Sequence, residues 1–238
     1  MVSRIELGDI VVDVVFKDIK NIHLGVYPPD GKVRISAPER MKLDMIRVFA
    51  ISKLPWIKQQ RRKLIEQERE TPREYLNRES HYLWGRRYLL RIDYTDDFLG
   101  VFLRHSKIVV RVRPGSDREN IRSVLEDWYR ETLKEAVKSL LDKWEPILGI
   151  KVERFFVQRM KTKWGSCNPA GKSVRLNTEL VKKPQDCLEY IVVHEMLHLL
   201  EPTHNDRFIG LMDHFMPDWR HRRDELNRLP VRHERWDY

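Results

Sequence analysis

The run HEMLH, residues 194–198, sets two imidazoles four positions apart with a carboxylate directly after the first. At about 100° per residue on a helix, His194 and His198 lie about 40° apart on successive turns, so both can reach one ion. Glu195 falls about 60° from His198, near enough to hold a water on that ion without being a ligand, which is the logic of the HExxH motif. Neutral imidazoles suit Zn2+, which they bind tetrahedrally, and a catalytic ion keeps its fourth position for a water whose pKa falls to about 7. Zn2+ is therefore the expected cofactor and Glu195 the expected catalytic base.

A third protein ligand is needed, and Glu201 and His204 compete for the place. On a continuing helix Glu201 would fall within about 20° of His194, but the residue before a proline is pushed out of the α region. Pro202 therefore ends the helix, and His204, two residues on, is placed to approach from outside it. The expected metal set is His194, His198 and His204. The competing reading makes both helical histidines ordinary core residues. Its weakness is the context, because a buried apolar helix followed by a chain-reversing proline and a third histidine is what the motif requires.

The helix expected to carry the motif starts at Pro184 and has few polar residues between 188 and 200: Glu189, Tyr190, His194, Glu195 and His198. A helix so apolar must be central, and one so buried cannot keep imidazoles and a carboxylate without partners for them. Upstream, VERFFVQRMKTKW reads as a strand, residues 168–171 as a turn, and SVRLNTEL as a returning strand, which together make a hairpin. Downstream, Asn205 or Asp206 can cap a helix over RFIGLMDHF, and a further helix follows Pro217. Asp206 and Asp213 are both candidates to orient a ligand imidazole, and Tyr190 is a candidate for that role or for the core.

The first half of the chain is strand-rich. Residues 9–37 alternate in strand fashion about a turn at Pro28, Pro29, Asp30 and Gly31, and residues 81–113 hold further short strands ending at Pro114 and Gly115. Two helices lie between these blocks, the second beginning at Pro55. A long helix follows, capped by Ser116 or Asp117 and closed by Pro146 and Gly149. The expected organisation is a β-rich domain with two helices over residues 1–114 and a metal-binding domain over 115–238, an α+β fold without an internal repeat.

The chain has 238 residues, enough for a sizeable core. No apolar run approaches the roughly 18 residues of a membrane span, and the start MVSRIELGDI lacks signal-peptide character, so a cytoplasmic protein without a membrane partner is expected. Cys167 and Cys187 form no CxxC and fit reduced thiols. The net charge of +9 is uneven. Residues 151–183 hold nine Lys and Arg against two Asp and Glu, whereas residues 184–238 hold seven against eleven. A basic strip thus borders an acidic segment, as a solvated face or as an anion site.

The runs RMKTKWGSCNPAGKSVRLNTEL, LEYIVVHEMLHLLEPTHNDRF and MPDWRHRRDEL, with KVRISAPERM, WIKQQ and YLWGRRYLL upstream, resemble the YgjP-like family of HExxH zinc metallopeptidases, relatives of the SprT-like proteases. The resemblance implies a β-rich N-terminal part, then a zincin-like catalytic part with a small antiparallel sheet and a buried active-site helix, and a peptide or protein substrate. Lys163 stands where the family usually has arginine, and lysine would hold an anion more loosely. In zincin-like folds an edge strand above the metal helix pairs with extended substrate, and residues 159–166 resemble it. Arg159, Lys161, Lys163 and Trp164 are then substrate-binding candidates, with the three cations favouring acidic side chains or a phosphate. Trp164 and Gly165 serve equally well as a packed corner, and Ser166 and Cys167 read as small buried residues rather than nucleophiles. Two further readings come from the resemblance: a nucleoside triphosphate (UTP) pyrophosphatase using the same metal, and a DNA-associated SprT-like module. Either would engage a nucleotide or nucleic acid through the basic hairpin.

Overall fold

A computed structural model describes residues 2–27, 30–66, 72–160 and 163–230. The chain forms two compact units, the first over Met1–Pro72 and the second over Arg73–Leu229. Pro28, Pro29 and Lys161, named above from the sequence, lie outside the described residues.

In the first unit, strands β1 (Val2–Leu7), β2 (Ile10–Lys17), β3 (His23–Tyr27) and β4 (Lys32–Pro38) form a sheet of order β1-β2-β4-β3. Alternation puts Ile10, Val12 and Val14 of β2 and Val33, Ile35 and Ala37 of β4 on a buried face. Helices α1 (Leu43–Ser52) and α2 (Leu54–Glu66) add Ile46, Ala50 and Ile57 to the same core. Strand β1 escaped the sequence reading because RIEL mixes charges with its two inward apolar residues, Ile5 and Leu7.

The second unit opens with β5 (Ser80–Leu83), β6 (Arg86–Tyr94), β7 (Gly100–Arg104) and β8 (Lys107–Val112) in the order β5-β6-β8-β7. This repeats the connectivity of the first sheet: two antiparallel hairpins joined side by side through parallel second and fourth strands. The sequence gives no sign of that repetition, because the two sheets share a pattern of pairing rather than of residues. Leu90, Ile108, Val110 and Val112 face α3 (Arg118–Leu148), whose stripe Ile121, Leu125, Tyr129, Leu133, Val137 and Leu141 recurs at helical spacing. Asp117 caps this helix by accepting from Asn120 N at 2.8 Å, and Gly149 closes it in the left-handed region at φ 64°. Pro146 lies inside the last turn. Residues 80–112 thus supply one wall of the core that α3 fills, and both lie in the second unit.

Strands β9 (Arg154–Gln158), β10 (Gly165–Asn168) and β11 (Ser173–Asn177) form a second sheet in the order β10-β11-β9. It is mixed rather than antiparallel, since β10 pairs antiparallel and β9 parallel with β11. The strand expected through Trp164 stops at Gln158, and β10 begins only at Gly165. Asn177 supplies a reason, for its side-chain amide donates to Met160 O and Lys163 O, both at 2.9 Å, and so engages the backbone on both sides of the gap between β9 and β10. The same side chain caps a 3-10 turn, Thr178–Lys182, where the sequence suggested continuing strand.

Helix α4 (Gln185–Leu197) packs on α3, β10, β11 and α6 (Trp219–Arg228), with α5 (Asp206–Phe215) alongside. Nine of its residues are buried, as its composition requires. Its registration rests on Glu189, which accepts from Lys143 Nζ at 2.6 Å and Trp144 Nε1 at 2.9 Å on α3, and from Arg222 Nη1 at 2.7 Å on α6. Burial alone would raise the Glu189 carboxyl, but these donors overcome it and hold the pKa at about 2. None of the described helices is long and apolar enough to cross a membrane.

Because the folded pKa of Glu189 lies below its ordinary 4.5, the carboxylate stabilises the fold fully above about pH 4.5, and the benefit is lost as pH falls through about 2. Glu189→Gln is expected to cost about 2 kcal/mol at pH 7, with the gap to wild type closing on acidification. Urea denaturation of both proteins from neutral pH down to about pH 2 measures this; a gap that stays constant throughout contradicts it.

Candidate metal centre

Helix α4 delivers two of the three histidines and the chain beyond it delivers the third. The helix stops at Leu197, with His198 at its C-cap, and a tight turn follows in which Leu199 N and Leu200 N bond Met196 O and Leu197 O, both at 2.9 Å. The stop precedes Pro202 by several residues. Glu201 donates its amide to Leu197 O, and its carboxylate accepts from Thr203 Oγ1 at 3.0 Å, so its side chain shapes the bend. The backbone then returns and brings His204 over the helix end, before Asn205 caps α5 by accepting from Phe208 N at 3.0 Å.

One ligand nitrogen from each of His194, His198 and His204 lies within 4.8 Å of the others. His194 Nε2 and His204 Nε2 are 3.0 Å apart. Two nitrogens bound tetrahedrally at 2.0–2.1 Å to one zinc are about 3.3 Å apart, so the observed spacing suits a shared ion. The protonation states agree with that use. Burial, then the neighbouring rings of His198 and His204, drive His194 down to a pKa of about 3, and burial lowers His204 as well. Neutral imidazoles, here able to share a hydrogen bond between His194 and His204, are what a divalent cation requires as ligands.

Orientation comes from unexpected sources. His198 Nδ1 lies 3.0 Å from Glu201 O, which leaves its other nitrogen for the cluster. Asp213, one of the two carboxylates proposed from the sequence for this task, instead accepts from Trp219 Nε1 at 2.7 Å and from Arg220. His194 Nδ1 is buried with no hydrogen-bond partner among the described residues. Phe208 does much of the positioning, with its ring centroid 4.7–5.0 Å from those of all three histidines. Sequence reasoning missed it, though its place one turn into the helix capped by Asn205 was readable. Tyr190 packs edge-on to His194 at 5.8 Å and stacks near Trp219 at 6.4 Å, a core position.

Glu195 sits beside this cluster at 6% exposure. Burial lifts its carboxyl to about 7 against the opposing charge of Lys163. Directly against it runs β10. A Cβ built on Gly165 would stand 2.6 Å from Glu195 Oε1 and 2.7 Å from its Cγ, so only glycine permits the approach. Cys167 comes from the same strand. Burial, then the charge of Glu195, push its thiol up to about 11, so it stays protonated and is no nucleophile.

The remaining candidates are dispersed. Lys163 and Arg159 are exposed, and Trp164 is half-buried against the core that holds α4. Among the described residues the basic strip is divided: Lys182 pairs with Glu179 at 2.8 Å, Lys183 is buried, and Arg175 lies over the Phe156 ring.

A family model described as "YgjP-like, metallopeptidase domain" matches residues 20–229. Among solved structures, the chain is similar to the metallopeptidase zymogen abylysin of Pyrococcus abyssi, at 20% identity over 38% of this chain and 90% of that one, with a TM-score of 0.36. It is also similar to the metallopeptidase zymogen jannalysin of Methanocaldococcus jannaschii, at 20% identity over 40% and 86% of the two chains, with a TM-score of 0.32. No curated protein matches.

A metal held by three neutral imidazoles stabilises the native state by mass action. Zinc at a thousandfold excess over its dissociation constant is expected to add about 4 kcal/mol, read as a rise in Tm that ethylenediaminetetraacetate reverses. His204→Ala should lose most of that rise; an equal rise in the variant would place the ion elsewhere.

Proposed function

This chain belongs to the YgjP-like metallopeptidase family, and from that premise we propose that His194, His198 and His204 hold one zinc ion and that Glu195 is the general base of peptide-bond hydrolysis. The observation that carries the reading is the convergence of three imidazole nitrogens within 4.8 Å, with a buried carboxylate directly after the first of them on α4. Zinc, when bound, supplies a Lewis acid for the scissile carbonyl and lowers the pKa of a water. Glu195 takes the proton of the attacking water and passes it to the leaving amine. Its carboxyl, lifted by burial to about 7, is matched to both halves of that transfer near neutral pH.

Burial disfavours the charged forms of His194 and His204, and Glu201 O and the Phe208 ring orient the cluster, so the ligand set is arranged before an ion arrives. Strand β10 supports a place for the substrate. It ends its sheet, and Trp164 O accepts from Asn177 N, so by antiparallel alternation Ser166 also pairs inward with Arg175. The backbone N–H and C=O of Gly165 and Cys167 then point to the open edge, while their side positions face Glu195. An extended peptide added along this edge runs past the carboxylate with its scissile bond beside the histidines, which is the zincin-like arrangement. Lys163 and Trp164 directly precede this strand in the chain, and Lys163, whose charge already acts on Glu195, would favour acidic side chains.

Glu195→Gln removes the proton acceptor without changing the ligands. Cleavage of a peptide library should fall by about 10²–10⁴ in kcat while one zinc per chain is retained. Pyrophosphate release from UTP, lost in the same variant without peptide cleavage in wild type, would replace this reading with the pyrophosphatase one. Gly165→Ala should displace the carboxylate and lower kcat by about 10²-fold, again with zinc retained; unchanged kcat would show that the close approach of β10 is not used.

A further inference from the structure

The sheet β5-β6-β8-β7 packs one face against α3 and carries a different chemistry on the other. Register sets Lys107 between Leu89 and Arg104, Val109 between Arg91 and Phe102, and Arg111 between Asp93 and Gly100. On the neighbouring pair, Arg87 lies opposite Tyr82. Arg87, Arg91, Arg104 and Lys107 are exposed and Arg111 half-exposed, so five cations share this face with the single carboxylate of Asp93. Asp93 is engaged by Arg91 at 2.7 Å. Arg87, Arg104 and Lys107 have no carboxylate partner among the described residues.

The pair Arg104 and Lys107 is informative because like charges directly opposite across two strands destabilise a sheet. Nothing among the described residues offsets that cost, whereas an anionic ligand would. Between the cations runs an apolar seam of Leu89, Val109 and Phe102. Val109 is 4% exposed, Phe102 is 38% exposed, and Arg111 stands over the Phe102 ring at 5.4 Å.

Successive same-face residues recur every ~6.7 Å along a strand and strands lie about 4.8 Å apart, so cationic and apolar side chains are interleaved over this face. We propose that this face binds single-stranded nucleic acid, with phosphates on Arg87, Arg104 and Lys107 and bases against Phe102 and the guanidinium plane of Arg111. A single strand offers both parts of the match, evenly spaced charge and flat unstacked rings, while an acidic protein offers charge alone. The proposal stands apart from the metal centre and does not depend on its chemistry.

The test is fluorescence anisotropy of a labelled oligothymidylate with the full-length protein at rising potassium chloride, beside a triple variant Arg87→Glu, Arg104→Glu, Lys107→Glu. Circular dichroism and peptide cleavage, both expected to match wild type, report that the variant is folded. Wild type should bind with a log–log salt slope that the variant reduces by about 2 (~0.7 for each phosphate contact), and the variant's affinity should fall at least about tenfold. If the charge reversals unfold the sheet, the glutamine triple variant replaces them with the same expectation. Absence of binding at low salt, equal binding by a folded variant, or preference for polyglutamate or anionic phospholipid vesicles over the oligonucleotide would each overturn the proposal.

Discussion

Polar groups taken out of water must find partners, and helix α4 carries that constraint into the centre of the second unit. It buries valines, leucines and a methionine on nearly every side, yet keeps two imidazoles and a carboxylate at its end. Hydrogen bonds within the chain satisfy only part of this set. His198 has a carbonyl, but His194 Nδ1 has none, and the Nε2 atoms of His194 and His204 face each other at 3.0 Å. A group that accepts several lone pairs at once is the economical completion, and a divalent cation is such a group.

Everything near α4 works to hold it in one register. The α3 stripe gives it a wall, and Glu189 ties it to α3 and α6 through three donors. On the opposite side β10 lies so close that position 165 tolerates no side chain. Asn177 fixes where β10 begins by gripping Met160 and Lys163. A displacement at Asn177 would therefore reach Glu195 through the strand, which links a hydrogen bond in a loop to the carboxylate of the site.

Much of the centre was legible in the chain, because its features are local. The spacing of His194 and His198, the helix break ahead of Pro202 and the cap at Asn205 each depend on a few neighbouring residues, and the structure brings together the three histidines named from them. What was not legible depends on distant partners. The end of β9 at Gln158, short of the expected Trp164, and the start of β10 only at Gly165 go with the hold of Asn177 on Met160 and Lys163, and the parallel pairing of β9 with β11 leaves no turn signal between them. That residues 80–112 share a core with α3 was hidden for the same reason, since only the contact with that helix shows it. Phe208 shows the limit plainly: an apolar residue in an amphipathic helix looks like any other until three rings are found around it.

The features that break local rules cluster at one place, and that is the strongest structural sign of a working site. A glycine is pressed against a carboxylate, a buried carboxyl is raised to about 7, an imidazole is driven to about 3, and one of its nitrogens is left unbonded. A buried carboxyl and an unpartnered imidazole nitrogen both cost stability. Chains retain such costs where binding recovers them. One cation among the three rings would recover the largest, by drawing the lone pairs together and favouring the ionised form of the adjacent carboxyl. The stability of α4 and the occupancy of its histidines are then a single linked equilibrium, in which the same burial that makes the helix central also prepares it to bind.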